Sequence, residues 1–249
     1  MASGGDGGGN PLSDGGAAGA PAPVPCVATG AETCNLNDDD CNGIVDEGCP
    51  GGATSTFEKD LPALGDSAGG AAFTEDCKDG EVLGGVTVAM GAFLSQARGL
   101  CRALSLELSA NAPHGYLVAL GKDRALPAHP TKSTDAPNTL SCPENEAVVG
   151  LRLAQQHETL SDNSVVAVTS RVWLTCAKLV LVDHDGKLDV TWEGAKELAP
   201  ASGSIANGTA WLVSSSAPDG LVASRLLGTS GSWIDRLGLG VSRIDVVLK

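Results

Sequence analysis

An internal repeat is the feature of this sequence that most limits the folds open to it. Residues 77–101 align with residues 217–241, 140 positions later, without a gap. The two copies share an Asp-Gly pair, a valine and a glycine at matching positions, which are Asp79-Gly80, Val82 and Gly91 in the first copy. A related segment from Cys142 to Cys176 carries a ten-residue insertion. Because one small β unit cannot bury its own apolar face, the three copies are expected to pack on one another.

The last copy has the pattern of a loop followed by a β-strand. Residues 228–241 read GTSGSWIDRLGLGV, and in them Leu237, Leu239 and Val241 alternate with glycines. This alternation has the period of a strand and not that of a helix. Further strands are predicted around residues 56–61, 82–88, 100–108, 116–120, 172–182, 188–192 and 209–214. The sequence therefore predicts an all-β fold built from three repeats.

The cysteines indicate disulfides and an oxidising compartment. Their number is even and no C-x-x-C pair occurs, which argues against a zinc ribbon or a thioredoxin site. Two of the copies begin and end with a cysteine, which predicts the bridges Cys77–Cys101 and Cys142–Cys176. The third copy has Ala217 and Val241 at these positions, and the joint loss of both partners is expected of a bonded pair. The remaining cysteines are Cys26, Cys34, Cys41 and Cys49, whose connectivity the sequence leaves open among three arrangements.

Charge and composition exclude several classes of partner. Thirty acidic against sixteen basic residues give a net charge of -14, which disfavours nucleic acid and anionic membranes. No segment approaches the roughly 18–20 apolar residues of a membrane span. Aromatic residues make up 3% of the chain, so the core is expected to be aliphatic. We expect a secreted or cell-surface protein in its mature form, after export and removal of a leader, and a lipid anchor stays open.

The N-terminal part of the sequence is expected to be separate from the repeats. Residues 1–25 are rich in glycine and proline and predict a flexible tether, or a tail without a role. Residues 26–49 predict a small disulfide-rich module, and residues 50–60 a linker to the domain at 61–249. Within the module, the acidic stretch resembles an EF-hand loop, which needs oxygen ligands, a central glycine and a backbone carbonyl. The candidate calcium ligands are Asp38, Asp40, Asn42, Ile44, Asp46 and Glu47.

Residues 32–47 also resemble the MopE-type metal-binding motif of bacterial surface proteins. That resemblance implies copper as an alternative metal. The hard carboxylate and amide oxygens, without histidine or methionine, favour calcium instead. Cys49 stands where an EF-hand has its last carboxylate, so Glu47 supplies that ligand or calcium binds more weakly. An acidic loop that binds no metal is the remaining alternative.

Residues 61–249 resemble the jacalin-related lectins in two motifs. Residues 69–73, GGAAF, are similar to the N-terminal GG-x-x-F of that family, and SGSWIDRLGL in the last repeat is similar to its SG-x-x-x-D-x-IG. The resemblance implies a β-prism of three Greek-key sheets around a pseudo-threefold axis. It also implies a sugar pocket between the two motif loops. The implied carbohydrate-binding residues are Gly69, Gly70, Gly231, Ser232, Trp233 and Asp235.

These residues also have simpler explanations, which stay open at the level of sequence. Asp235 could cap the backbone of a turn, and Trp233 could cover a sugar ring or close the end of the prism. In repeat one Ser95 stands where the carboxylate is expected, so that repeat is predicted to be silent. Repeat two has Gln156 at the glycine position and is predicted not to match.

The resulting prediction is a non-catalytic, lectin-like protein that binds extracellular glycan and carries structural calcium. No nucleophile–base pair and no pair of catalytic carboxylates can be assembled from the sequence, so an enzyme is not expected. The alternative is a structural or assembly subunit of an extracellular fibre or surface layer, in which the chain forms homo-oligomers.

Overall fold

The protein is all-β in a computed structural model that describes residues 27–31, 39–41, 51–66, 69–109, 112, 115–159, 161–184, 187–203 and 210–248. Within these residues the chain forms strands and no helix. The strands are β1 (Gly51–Asp60), β2 (Leu64–Gly65), β3 (Ala71–Asp76), β4 (Glu81–Met90), β5 (Leu94–Leu108), β6 (Tyr116–Leu120), β7 (Arg124–Ala125), β8 (Pro137–Ser141), β9 (Glu146–Thr159), β10 (Val165–His184), β11 (Lys187–Glu197), β12 (Ala201–Ser202), β13 (Trp211–Ser216), β14 (Leu221–Ser230) and β15 (Ile234–Leu248).

Each of the three sequence repeats forms a long antiparallel hairpin at the centre of a four-stranded arrangement. The hairpins are β4–β5 in repeat one, β9–β10 in repeat two and β14–β15 in repeat three. In the described part of the chain the strands of these arrangements are ordered β8-β4-β5-β6, β13-β9-β10-β11 and β3-β14-β15-β1, and the pairing of β11 with β15 at Asp189↔Asp245 joins the second and third into one sheet. The all-β prediction is therefore confirmed, and this architecture is consistent with the predicted three-repeat prism.

The hairpins carry β-bulges at equivalent positions. The register of β4 shifts between Leu83 and Gly85, and that of β14 shifts between Ala223 and Arg225, 140 positions later. In β9 the same shift falls at Val149, because Gly150 pairs with Thr175 and Val148 with Cys176. Bulges add local twist to a strand pair. The three hairpins therefore share the same irregularity of register.

A ring of strand exchange joins the repeats. The strand that precedes each repeat pairs with the hairpin of another repeat: β8 with β4, β13 with β9 and β3 with β14. The first residue of each repeat also donates its backbone N–H to the bulged residue of that same hairpin. These bonds are Cys142 to Gly84 at 2.8 Å, Ala217 to Val149 at 2.7 Å and Cys77 to Ser224 at 2.9 Å. Repeat two thus pairs with repeat one, repeat three with repeat two, and repeat one with repeat three, so the contacts between the repeats form a closed ring.

The core between the hairpins is aliphatic, as the low aromatic content predicts. Leu237, Leu239 and Val241 are each fully buried, in agreement with their strand alternation. The glycines between them are buried too, because other chain segments cover the second face of β15. A methyl group on Gly238 would lie 2.9 Å from the Cα of Ala63. The alternation therefore reflects a strand covered on both faces and not a solvated one.

Both bridges predicted from the repeats are present. Cys77 is bonded to Cys101 and Cys142 to Cys176, and in each pair the Cα atoms are 5.6 Å apart. Cys101 pairs in register with Leu83, and Cys176 with Val148. Val241, the equivalent residue of repeat three, pairs with Ala223. The third position is therefore built in the same way without a bridge.

Some strand boundaries differ from those predicted. Residues 50–60 were predicted to be a linker in which a strand begins only near residue 56, but the whole of Gly51–Asp60 forms β1 and pairs with β15 from Gly51↔Leu248 to Asp60↔Gly240. The start of this strand is difficult to predict from the sequence, because its partner lies at the other end of the chain and most of its side chains are exposed. Residues 121–141, for which no strand was predicted, contain β7 and β8.

Little of the N-terminal module falls within the described residues. The backbone N–H of Thr29 donates to the carbonyl of Asp39 at 2.8 Å, and the Thr29 hydroxyl donates to the Asp39 carboxylate at 3.1 Å. Cys41 is disulfide-bonded. The predicted tether at residues 1–25 lies outside the described residues, as do Cys26, Cys34 and Cys49.

Candidate functional site

Two loops predicted to form a sugar pocket lie side by side. β2 pairs with the start of β15, with Gly65 opposite Arg236 and Leu64 opposite Leu237. This pairing brings the chain leading to Gly69 and Gly70 next to the loop that precedes β15. Both glycines are exposed and have positive φ, at 124° and 68°. A positive φ is costly for residues with a Cβ, so glycine is suited to both positions.

The Asp235 carboxylate faces these two glycines. A methyl group on Gly70 would lie 2.6 Å from Oδ2 of Asp235 and 2.6 Å from the carbonyl carbon of Ser230. A methyl group on Gly69 would lie 3.5 Å from Oδ1 of the same carboxylate. The absence of a side chain at Gly70 therefore leaves the space in which the carboxylate sits, whereas a methyl group on Gly69 would only touch it.

The surroundings of Asp235 have opposing effects on its charge. Burial raises the pKa of the Asp235 carboxyl, and the nearby charge of Asp66 raises it further, whereas a hydrogen bond from the Trp233 side chain lowers it. Burial is the largest of these effects, and the net direction is upward. A partly desolvated carboxylate that already accepts one hydrogen bond can accept others from hydroxyl groups of a ligand.

The loop before β15 is compact. Its first residue, Gly231, donates its backbone N–H to the carbonyl of Trp233 at 2.9 Å, and Ser232 is exposed at the tip. A methyl group on Gly231 would approach the Cα of Gly70 at 3.7 Å. Gly69, Gly70, Gly231, Ser232, Trp233 and Asp235 therefore lie within one small region of the surface.

Trp233 contacts the neighbouring repeat. Its ring meets Phe93 of repeat one edge to face, with ring centroids 5.3 Å apart and an interplanar angle of 79°. This geometry is a favourable aromatic arrangement. Phe93 precedes Trp233 by 140 positions and occupies the equivalent place in repeat one. The contact supports the simpler explanation that Trp233 helps to close this end of the body, and its ring stays partly exposed.

The loop that faces the hairpin of repeat one contains a carboxylate that the sequence prediction missed. Asp135, in the loop before β8, accepts a hydrogen bond of 2.6 Å from the hydroxyl of Ser95. The signal was present in the sequence, because Gly70 lies seven residues before Cys77 and Asp135 lies seven residues before Cys142. The prediction compared only the loops inside the hairpins. It did not compare the loops that precede them.

The equivalent region of repeat two is different. Its hairpin continues past the loop position, because Gln156 pairs with Val168 and the strands stay paired as far as Thr159 and Val165. The ten inserted residues therefore lengthen a hairpin. Ser170, which corresponds to Asp235, is buried and donates to the carbonyl of Ala154 at 3.3 Å.

The predicted calcium ligands are largely untested by the structure. Asp40 is exposed, whereas Asp38, Asn42, Ile44, Asp46 and Glu47 lie outside the described residues. Among the residues described, one group of three side chains is close enough to share a metal, namely Cys77, Glu81 and Cys101. Its two sulfurs are joined in a disulfide, so they are not available as ligands. Calcium therefore remains a prediction.

In the described part of the chain, no helix has the length and apolar character needed to cross a bilayer.

The chain was compared with protein families, with curated protein sequences and with solved structures. No protein-family model matches the chain, and no curated protein sequence is similar to it. Three solved lectin structures are similar in structure. Frutapin from Artocarpus incisa has 10% identity and a TM-score of 0.48, covering 76% of this chain and 98% of its own. A mannose-specific jacalin-related lectin from Morus nigra, in complex with mannose, has 14% identity and a TM-score of 0.47, covering 76% and 96%. The artocarpin–mannotriose complex has 11% identity and a TM-score of 0.47, covering 76% and 99%.

Proposed function

We propose that this protein binds carbohydrate, without catalysis, through the site formed by the Gly69–Gly70 loop and Asp235. One observation carries the proposal: the carboxylate lies against Gly69 and Gly70 at the exposed junction of two loops, in space that a side chain on Gly70 would fill. A carboxylate can accept hydrogen bonds from two adjacent hydroxyl groups, and charge-assisted bonds of this kind are stronger than neutral ones. Adjacent hydroxyls are the common feature of pyranose sugars.

The roles of the residues follow from this arrangement. Asp235 accepts from two sugar hydroxyls, and the backbone N–H groups of Ser232 and Trp233 donate to the sugar. Gly69 and Gly70 form the opposite wall. Burial raises the pKa of Asp235, and this partial desolvation also strengthens the bonds that its ionised form makes to a bound sugar.

A glycan array with three forms of the full-length protein tests the proposal. Asp235→Asn keeps the size of the side chain and removes its charge. Glu144→Gln is the matched control, because Glu144 is exposed in the turn between β8 and β9, away from the loops. We expect the wild type and Glu144→Gln to bind the same glycans. Asp235→Asn is expected to bind them roughly tenfold to hundredfold more weakly, which is the worth of a hydrogen bond to a charged group.

Two results would contradict the proposal. Absence of binding by the wild type to any glycan, mannosides included, would reject carbohydrate as the ligand. Unchanged binding by Asp235→Asn would reject this site while leaving carbohydrate binding intact.

A second candidate function is assembly into a larger structure, and one surface feature favours it. β13 lies at an edge of its sheet, paired with β9, and its side chains Trp211 and Leu212 are 37% and 58% exposed. Val165, in the extended hairpin of repeat two, is 62% exposed. An exposed apolar edge strand can pair with another chain. Sedimentation velocity of the wild type and Leu212→Ser, over a range of concentrations, distinguishes this function from a monomeric lectin.

We further propose that residues 26–49 form a separate calcium-binding module in a protein that works outside the cytoplasm. The two disulfides of the domain are compatible with an oxidising compartment. Calcium would be held by oxygen ligands from Asp38, Asp40, Asn42, Asp46, Glu47 and the carbonyl of Ile44, and would rigidify the module without contacting the sugar. Isothermal titration with Ca²⁺ of the wild type and Asp40→Asn tests the metal. No heat of binding in either protein would reject it.

A further inference from the structure

The carboxylate at repeat one comes from the loop before β8, whereas the carboxylate at repeat three comes from the hairpin, at the start of β15. In the registers, Ser141 pairs with Gly85 as Asp76 pairs with Arg225, so the loop before β8 corresponds to the loop before β3. Six residues before these paired positions lie Asp135 in repeat one and Gly70 in repeat three. On the hairpins the acid is in the other repeat: repeat three has Asp235, and repeat one has Ser95 at the equivalent position. Asp135 and Asp235 are therefore supplied by opposite loops of their respective pairs.

The space for the acid in repeat one also comes from a glycine on the facing loop. A methyl group on Gly91 would lie 2.6 Å from both carboxylate oxygens of Asp135. In repeat three, Gly70 makes the equivalent space for the Asp235 carboxylate. Both sites thus consist of a glycine backbone facing a carboxylate, with the two components interchanged between the walls.

The Asp135 carboxylate is held in a defined position. Oδ2 accepts from the Ser95 hydroxyl at 2.6 Å, and the Ser95 hydroxyl lies 2.9 Å from that of Ser133. The backbone N–H of Asp135 in turn donates to the Ser133 hydroxyl at 3.1 Å. A carboxylate fixed by neighbours in this way needs little reorganisation to accept hydrogen bonds from a ligand.

An open cleft of about 840 Å³ adjoins this carboxylate. The lining combines the acceptor Asp135 with the donor Lys132, several hydroxyl groups and the ring of Phe93. Ser232, at the tip of the repeat-three loop, lies on the rim of the same cleft. This mixture of a charged acceptor, hydroxyls and one aromatic ring suits a polar ligand that carries hydroxyl groups and an apolar face, as a pyranose does.

We propose that the cleft of repeat one is a second carbohydrate site, in which Asp135 takes the part that Asp235 takes in repeat three. This inference rests on the proposed function, because both sites would bind sugar. It replaces the prediction that repeat one is silent, which considered Ser95 and not the acid that faces it. Asp135 accepts from adjacent sugar hydroxyls, and Lys132 donates to the sugar from the rim.

Amide chemical shifts distinguish the two sites in one experiment. The full-length ¹⁵N-labelled protein is titrated with methyl α-mannopyranoside, methyl α-glucopyranoside and methyl α-galactopyranoside. For the wild type we expect two groups of perturbed amides, one near Ser95 and Asp135 and one near Gly70 and Asp235. Asp135→Asn is expected to weaken binding at the first group roughly tenfold to hundredfold and leave the second unchanged. Asp235→Asn is expected to do the reverse.

Two further variants complete the experiment. Glu144→Gln is the charge-matched control and should leave both groups unchanged. Thr134→Tyr is a second test of the cleft that leaves the Asp135–Ser95 bond in place, because Thr134 is an exposed lining residue and a larger side chain would fill the cleft. It is expected to abolish shifts in the first group alone.

The outcomes separate this inference from the proposed function. Shifts that respond to Asp235→Asn, but to neither Asp135→Asn nor Thr134→Tyr, would overturn the second site and leave the first intact. Shifts that respond only to the repeat-one variants would support the second site and reject the Asp235 site. Absence of shifts with all three glycosides, together with a blank glycan array, would overturn both.

Discussion

A third disulfide introduced by symmetry tests the equivalence of the three repeats. Ala217 and Val241 occupy in repeat three the positions of Cys77 and Cys101, with the same separation of 24 residues along the chain. Both are buried, at 5% and 0% exposure, and the backbone bonding at Ala217 matches that at Cys77. We therefore expect the double variant Ala217→Cys/Val241→Cys to form a bridge without movement of the backbone.

The expected gain in stability follows from the length of the closed loop. A loop of about 25 residues corresponds to roughly 3.5 kcal/mol of lost entropy in the unfolded chain. Replacing the buried Val241 by cysteine removes apolar packing worth about 1 kcal/mol. The free energy of unfolding should therefore rise by about 2 kcal/mol, or by about 4–8 °C in Tm for a domain of this size.

Thiol titration in denaturant and calorimetry measure the two parts of this prediction. Each single variant should show one free thiol, and the double variant none. Calorimetry should then rank the double variant above the wild type and both single variants below it. Two free thiols in the double variant would refute the equivalence at this position, whatever the change in Tm.

Three further predictions concern the site and its electrostatics. Gly70→Ala should abolish glycan-array binding and Gly231→Ala should not, since a methyl group would lie 2.6 Å from Asp235 Oδ2 in the first case and no closer than 3.7 Å to its nearest neighbour in the second; equal losses would contradict this. Because the pKa of Asp235 is raised in the folded state, folding disfavours its ionised form, a cost that is absent below the ordinary value of 3.8 and complete above the raised pKa. Asp235→Asn should therefore raise Tm near neutral pH and leave it unchanged in strong acid, and a lower Tm at neutral pH would contradict this. The hydrogen bond from Arg124 lowers the pKa of Glu81. The pair therefore stabilises the protein above the unfolded value of 4.5, and this stabilisation is lost as pH falls through the folded pKa. Glu81→Gln should have a lower Tm than the wild type near neutral pH, and the two Tm values should converge in acid.

The repeat explains why so much of the fold could be predicted. Copies that align without a gap locate the strands, and the cysteines at equivalent ends of two copies identify both bridges of the domain. Only the second half of β1 was predicted, around residues 56–61, because its pairing with β15 is set at the opposite end of the chain by registers that local patterns do not encode. Strand propensity depends on such neighbours more than helix propensity does.

The candidate site was likewise predicted only in part from the sequence. Gly69, Gly70 and Asp235 were selected from short motifs, and the strand pairing of Gly65 with Arg236 brings them together. Asp135 was missed because it became important only through its contact with Ser95, 40 positions away, once the loops of the exchanged strands were compared. A comparison of single loops could not have revealed an acid that had moved to the facing loop.

The pairing of β1 with β15 has a consequence for the orientation of the proposed sugar site. Gly51 lies opposite Leu248, whereas the loops with the two acids lie at the other end of β15, beyond Ile234. Fifteen residues of strand span about 45 Å. Gly51 thus lies at the end of β15 far from Asp235, so an attachment made through the preceding residues would leave the proposed sugar site at the distant end of the strand.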